Sequence, residues 1–318
     1  MSSSHRVGSL GALSLVLTGL ACTGNPANRI RIEVTSSLDQ SRQPSNLFLP
    51  PALDSTQPVP LAVLLHTWSF DLDQRHETVE RESARRGWLL LEPNFRGRND
   101  HPEACGSALA QQDVLDAVAW VRAHYRVDST RIYVLGLSGG GHMTLLMAGR
   151  APELWAAASA WVGIGDLARY HQDHATDGDG KMTRQCLGGP PGSSAAVDAE
   201  YRLRSPNTRL GLAAAIPIEI AAGRRDGEVA FSQSIRAFNV LAAAHGVGPV
   251  GEDEIAQLEG DGPGLARPSV EDTATDSTFK RRIHLRRWAG PSRLTIFEGG
   301  HEWIPELAIG WLADKRRP

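Results

Sequence analysis

The chain has few cysteines, few aromatic residues and no excess of basic charge. Three Cys among 318 residues exclude the disulfide-dense class of small secreted domains. Lys and Arg number 33 against 36 Asp and Glu, and the formal net charge of −3 gives no indication of the basic stripe that nucleic-acid binding requires. What remains is an ordinary globular composition, 41% hydrophobic, at a length that suits one large domain. We therefore expect no nucleic-acid partner.

One long uncharged run, residues 7–21, follows Arg6 near the amino terminus. It is short for a membrane-spanning helix and suits the apolar region of a signal peptide. Ala21 and Cys22 are similar to the cleavage point of a bacterial lipoprotein, although Gly19 stands where Leu is usual. We predict that residues 1–22 are a signal peptide or lipoprotein signal, and that the protein is exported: periplasmic, extracellular or lipid-anchored to the cell envelope. Membrane association is expected only through a lipid anchor at Cys22. A misassigned start is the alternative.

The two remaining cysteines are Cys105 and Cys186. In an exported protein they form either one disulfide or two buried thiols, and the sequence leaves both open.

Strand-like and helix-like segments alternate along most of the chain. This alternation predicts an α/β fold of the α/β-hydrolase kind, a mostly parallel central sheet flanked by helices. We assign residues 23–60 to a linker and edge strands, and residues 61–318 to a catalytic domain. Two stretches interrupt the alternation: residues 166–210, expected to form a small cap, and residues 246–278, expected to be a long or poorly ordered loop. Strands are predicted at 29–34, 46–49, 61–65, 88–91, 131–135, 156–162, 217–222 and 294–297, and helices at 73–86, 109–124, 139–149 and 304–312.

Residues 136–140 match the pattern G-x-S-x-G, with Ser138 at its centre. The pattern follows a predicted strand and precedes a predicted helix, which is the setting of a nucleophile elbow. A Cβ at the flanking positions of so tight a turn would collide with the adjoining strand or helix. We predict that Ser138 is a nucleophile. An incidental Ser in a Gly-rich turn is the alternative.

A serine hydroxyl needs a general base, and His301 directly follows the last predicted strand. Asp226 follows the strand before it and would orient the imidazole. His142 lies inside a helix and His284 lies among arginines, so both fit less well. The other acids before His301 are interpreted as solvated charges of the polar insertion: Asp253, Asp261, Asp272 and Asp276.

An oxyanion hole requires two donors. The backbone N–H of Gly139 is one candidate, and the amide of Trp68 or Thr67, after the first buried strand, is the other. His66 is interpreted as a structural residue at the end of that strand. Residues 177–180 lack the spacing of a calcium loop, and zinc at His171, Asp173 and His174 is disfavoured. We expect no metal and no cofactor.

Residues 128–142, together with 151–155, 187–191 and 204–206, resemble the catalytic domain of the prolyl oligopeptidase family. The resemblance covers residues 61–312 and implies that Ser138, Asp226 and His301 occupy the triad positions. The chain is too short to hold the β-propeller of the large oligopeptidases as well. The span from Asp226 to His301 is longer than usual. Small secreted proteins with this domain alone also resemble acetylxylan, feruloyl and polyester-cleaving esterases.

We therefore predict an exported serine hydrolase that cleaves an acyl bond through an acyl-enzyme. A carboxylic-ester hydrolase is preferred, acting on a small-molecule or polymer ester, because an ester has the better leaving group. The alternatives are a serine peptidase of the prolyl oligopeptidase type, an acyl transferase and, from another class, a non-catalytic binding protein of the same fold.

Overall fold

One sheet runs through the part of the chain that the computed structural model describes: residue 1, residues 28–260, 262, 264–273 and 276–317. Within that part the strand order is β1-β2-β4-β3-β5-β6-β7-β9-β8. The six central strands are parallel, whereas β1, β2 and β8 run antiparallel to their neighbours at the edges. The strands are β1 (Asn28–Thr35), β2 (Arg42–Leu49), β3 (Val59–Leu65), β4 (Leu89–Pro93), β5 (Val127–Leu137), β6 (Ala157–Trp161), β7 (Ile218–Gly223), β8 (Ile283–Ala289) and β9 (Ser292–Phe297).

Strand β3 shows why the central strands are continuous apolar runs in the sequence. Leu61, Val63 and Leu65 belong to one hydrophobic core, and Ala62 and Leu64 belong to another. Successive side chains of a strand point to opposite faces of the sheet. Because helices cover both faces, both sets of side chains have to be apolar.

Helices α2, α3 and α7 contribute to the first core, through residues such as Val114, Met143 and Ile235. Helices α1 and α9 contribute Val79 and Ile309 to the second. The predicted fold class, a mostly parallel sheet flanked by helices, is confirmed. The helices are α1 (Glu77–Arg85), α2 (Ala108–His124), α3 (Gly139–Arg150), α4 (Leu167–Asp173), α5 (Gly178–Leu187), α6 (Ala195–Arg204), α7 (Ser232–Ala244), α8 (Glu252–Glu259) and α9 (Pro305–Ala313).

The cap, residues 166–210, contains α4, α5, α6 and a 3₁₀ turn, and a second 3₁₀ turn begins at Leu210. Its small core includes Leu167, Tyr170 and Tyr201, which pack with Trp68 of the main domain. Cys186 at the end of α5 forms a disulfide with Cys105, in the loop before α2. Of the two states left open by the sequence, the structure therefore has the bridge, and it ties the cap covalently to the domain.

The described part of the second insertion, within residues 246–278, has more secondary structure than the sequence predicts. It contains α8, which buries Ile255, and a short 3₁₀ turn. Asp272 in that turn is 1% exposed and pairs with Arg287, so its interpretation as a solvated charge is wrong. Asp261 lies outside the described residues. Strand β8 follows the insertion and was not predicted, because its basic residues do not form an apolar run. At the edge of the sheet these charges are paired with acidic residues.

The predicted signal segment and Cys22 also lie outside the described residues. Within the ranges that the structure covers, none of the helices is both long enough and apolar enough to cross a membrane.

Candidate active site

Ser138 lies in the turn that joins β5 to α3. Its φ of 56° and ψ of −123° place it outside the regions that non-glycine residues favour. The Ser138 N–H donates to the Trp161 carbonyl oxygen at 2.9 Å, and the His142 N–H donates to the Ser138 carbonyl oxygen at 2.8 Å. These bonds to β6 and α3 hold the strained backbone in place. Strain of this kind persists where the surrounding structure enforces it, and it occurs most often at functional sites.

Glycines surround Ser138 because backbone passes close to each of them. A Cβ at Gly136 would lie 2.6 Å from backbone atoms of Gly140, and a Cβ at Gly140 would lie 2.1 Å from the Leu65 carbonyl oxygen. A Cβ at Gly139 would lie 2.4 Å from the Trp68 nitrogen. These separations are far below van der Waals contact, so the elbow excludes any side chain at the three positions.

Asp226 and His301 meet at the carboxyl ends of β7 and β9. Nδ1 of His301 is 2.9 Å from Oδ2 of Asp226 and 3.1 Å from Oδ1. The Asp226 side chain is fully buried, and its Oδ1 also accepts the backbone N–H groups of Glu228 and Val229 at 2.8 and 2.9 Å. The carboxylate is thus fixed by three donors.

This contact decides which nitrogen of His301 carries the proton in the neutral ring. Nδ1 faces a carboxylate and donates to it, so Nε2 is left as the acceptor. Burial opposes the charged imidazole, but the hydrogen bond and charge of Asp226, with smaller contributions from Glu228 and Asp179, outweigh it and raise the pKa of His301. A histidine of this tautomer and raised basicity can accept a proton from a nearby hydroxyl.

Two loops carry this pair, and backbone bonds join them. The acid loop, residues 224–229, follows β7, and the histidine loop, residues 298–302, follows β9. The Arg225 N–H donates to the Gly299 carbonyl oxygen at 2.8 Å. The Arg224 side chain donates to the carbonyl oxygens of Leu258, Gly260 and Gly262, at the end of α8 and beyond it. The second insertion is thereby anchored to the acid loop.

The structure distinguishes the two candidates for the second oxyanion donor. The Thr67 N–H donates to Oε1 of Gln74 at 2.9 Å and is therefore engaged. The Trp68 backbone nitrogen lies beside Gly139, as the steric contact above shows. Of the two amides, the geometry favours Trp68.

A pocket of about 210 Å³ opens beside these residues and includes both Ser138 and His301 in its lining. Thr67, Trp68 and Leu137 also line it, as do six residues that the sequence analysis did not assign to a site, four of which carry an aromatic ring or a carboxylate. The sequence analysis considered Asp179 only as part of a calcium pattern. Glu228 lies two residues after the predicted acid, and this position could have indicated that it lies near the site. The four are Phe70, Tyr170, Asp179 and Glu228.

Four other histidines make structural contacts. His66 bridges the carbonyl oxygens of Thr67 and Asn94, and buried His142 contacts the carbonyl oxygen of Arg204 at 2.8 Å. His284 contacts the Glu298 carboxylate at 2.6 Å. His174 of the cap lies between Oδ2 of Asp177, at 2.6 Å, and the Glu228 carbonyl oxygen, at 2.7 Å.

Known proteins with similar sequences cover only parts of this chain. An acetylxylan esterase of Aspergillus awamori is 35% identical over 65 residues, 20% of this chain and 21% of its own length. A feruloyl esterase of Neurospora crassa is 44% identical over 87 residues, 24% of this chain and 29% of its own. An uncharacterized peptidase of Bacillus subtilis is 25% identical over 154 residues, 48% of this chain and 57% of its own. The chain thus spans less than two thirds of each relative.

Solved structures share the fold at low sequence identity. A puromycin-hydrolyzing peptidase of Mycobacterium tuberculosis has a TM-score of 0.61 at 18% identity, covering 90% of this chain and 38% of that one. The acylaminoacyl peptidase of Pyrococcus horikoshii has a TM-score of 0.58 at 19% identity, covering 69% and 36%. These structures show that the chain has the α/β-hydrolase fold.

The sequence model of the prolyl oligopeptidase family matches residues 78–250, more than half of the chain. The protein belongs to that family, as its sequence resemblance predicted.

Proposed function

We propose that the protein is a carboxylic-ester hydrolase, in which Ser138 is the nucleophile, His301 the general base and Asp226 the acid that orients the base. The observation that carries this proposal is that the Asp226–His301 pair opens onto the same pocket as the strained Ser138. A buried carboxylate that fixes the imidazole tautomer is the arrangement that serine activation requires.

The reaction follows from these positions. Oγ of Ser138 attacks the acyl carbon while its proton passes to Nε2 of His301, and the N–H groups of Gly139 and Trp68 stabilise the oxyanion. The imidazolium then protonates the leaving alcohol, which departs and leaves an acyl-serine. Water attacks this ester, gives its proton to His301, and the carboxylic acid leaves as Ser138 regains its proton.

Two observations favour esters over amides. The relatives at 35% and 44% identity are named as esterases, whereas the peptidase relative is 25% identical. The pocket, about 210 Å³, is smaller than typical ligand sites and suits a short acyl group. Peptide hydrolysis is the second candidate, because the family and the solved structures above are peptidases.

Hydrolysis of p-nitrophenyl acetate and butyrate, compared with a Gly-Pro arylamide, tests this order. We expect ester turnover well above amide turnover, and Ser138→Ala should abolish both. Amide cleavage without ester cleavage would reverse the order. A folded Ser138→Ala variant with wild-type turnover, or wild-type protein that does not react with a fluorophosphonate probe, would contradict the serine mechanism itself.

We further propose export, with lipid attachment at Cys22. The disulfide between Cys105 and Cys186 supports this, because such bonds persist in oxidising compartments. Fractionation of cells that express the full chain, with Cys22→Ser as the matched variant, tests it. We expect the wild type in the membrane fraction and the variant in the soluble exported fraction. Retention of both in the cytoplasm would refute export.

A further inference from the structure

The pocket beside Ser138 carries more negative charge than the hydrolysis of a neutral ester needs. Two carboxylates line it, Glu228 from the acid loop and Asp179 from α5 of the cap. His301 is the one basic group of the described lining, which contains no Lys or Arg. The wall of the pocket is therefore acidic.

Glu228 lies close to the base, and a hydrogen bond within the cap orients Asp179. Oε2 of Glu228 is 3.6 Å from Nε2 of His301, and its side chain is 69% exposed. Oδ2 of Asp179 accepts the hydroxyl hydrogen of Tyr170 at 2.9 Å. This bond fixes the orientation of the carboxylate and leaves its other oxygen able to accept a hydrogen bond from a ligand.

Aromatic side chains line the same pocket and point to a ligand there. Trp68, Phe70 and Tyr170 belong to the lining, and Phe70 is 54% exposed. Aromatic faces attract organic cations.

We propose that the pocket selects esters or amides with a protonated or quaternary amine within a few bonds of the scissile carbonyl, and that Glu228 and Asp179 determine this specificity. The inference rests on the proposed hydrolase function and names its substrate class. A reacting acyl group at Ser138 lies within about 3 Å of the base. A cation near that carbonyl then lies close to the Glu228 carboxylate, which faces His301.

The size of the preference follows from two partly solvated charges. Each carboxylate at about 4 Å from a cation contributes roughly a fivefold preference for the cationic ester in water. After screening by solvent, we expect about a tenfold preference in kcat/KM from the pair. Because Glu228 is exposed, the preference decreases as salt is added.

Two pairs of isosteric substrates measure this preference. The first compares the p-nitrophenyl esters of 4-(trimethylammonio)butanoate and 5,5-dimethylhexanoate, in which the charge lies on the acyl side. The second compares acetylcholine with 3,3-dimethylbutyl acetate, in which it lies on the alcohol side. The readout is the ratio of kcat/KM for the cationic ester to that for its neutral isostere. We expect a ratio of about ten in at least one pair, reduced several-fold in Glu228→Gln and in Asp179→Asn.

Glu153→Gln is the matched control, because Glu153 is exposed in the loop between α3 and β6, away from the pocket lining. Its ratio should equal that of the wild type. Ratios near one in both pairs, with the neutral esters still hydrolysed, would overturn the inference and leave the proposed function intact. The same holds for a high ratio that neither pocket variant changes. Failure of the folded wild type to hydrolyse any of the four esters would instead overturn the proposed function.

Discussion

The cap and the second insertion are both additions to the same α/β domain, yet they meet the site in different ways. The cap contributes Tyr170 and Asp179 to the pocket and is tied to the domain by a disulfide. The second insertion contributes no residue to the described lining and is held by hydrogen bonds from Arg224. One insertion therefore lines the pocket, while the other is connected to the site through the loop that carries Asp226.

The largest contrast should appear in kcat when Asp226 of the acid loop and Asp179 of the cap are each replaced by the neutral amide. Asp226→Asn should lower kcat by about 10³–10⁴, because an amide no longer fixes the tautomer or stabilises the imidazolium. Asp179→Asn in the cap should change kcat for a neutral ester less than tenfold. Steady-state kinetics with p-nitrophenyl acetate measures both, and circular dichroism verifies folding. Equal losses in the two variants would contradict the division of roles.

Removing the covalent anchor of the cap should have the next largest effect, on stability. The Cys105→Ser/Cys186→Ser double variant opens a loop with a sequence separation of 81 residues. The chain-entropy relation gives a loss of about 4.5 kcal/mol in the free energy of unfolding. Urea unfolding measures this loss, and wild-type protein with a reductant is the control. A loss below about 1 kcal/mol would mean that the core of the cap holds it without the bridge.

Removing the hydrogen-bonded anchor should cost somewhat less. Arg224→Ala deletes charge-assisted bonds to three carbonyl oxygens, and we expect a loss of about 2–3 kcal/mol in the free energy of unfolding. A several-fold decrease in kcat should accompany it, because the acid loop loses support. Arg224→Lys should recover part of both, and Arg202→Ala on the exposed face of α6 should change neither. An Arg224→Ala variant with wild-type kcat would show that the second insertion does not act on the site.

The smallest effect concerns pH. The pKa of His301 is raised, and only its neutral form accepts the serine proton, so kcat/KM should decrease as the pH falls through a value above about 6.5. Glu228→Gln should move this midpoint to lower pH by a fraction of a unit, because an exposed charge is screened. Rate profiles from pH 5 to 9 measure both. A wild-type midpoint below 6.5 would contradict the electrostatic account.

Much of the fold was predictable because the parallel strands are buried on both faces and therefore form short apolar runs. The strands β3, β5 and β9 fall where those runs predict them. Strand β8 was missed because an edge strand can keep polar side chains if they find partners, as Arg287 does in Asp272. Helix α8 was missed because only Ile255 and Leu258 of its eight residues are buried, too few for a clear periodicity.

The site divides in the same way. The sequence motif and the strand ends predicted Ser138, Asp226 and His301, because local order along the chain determines which loops meet at the carboxyl edge of a parallel sheet. Tyr170 and Asp179 reach the pocket through the packing of the cap, which depends on tertiary contacts and on the disulfide. No local pattern in the sequence encodes those contacts.

His174 joins the cap to the acid loop, and this contact depends on the protonation of its ring. Both ring nitrogens face oxygen acceptors, Asp177 on one side and the Glu228 carbonyl on the other, so only the protonated ring donates to both. Burial opposes that charge, but the two acceptors outweigh it and raise the pKa of His174. The contact is complete below the ordinary histidine pKa and weakens as the pH rises through the raised value. Rising pH thus activates the base His301 while it weakens this contact between the cap and the acid loop.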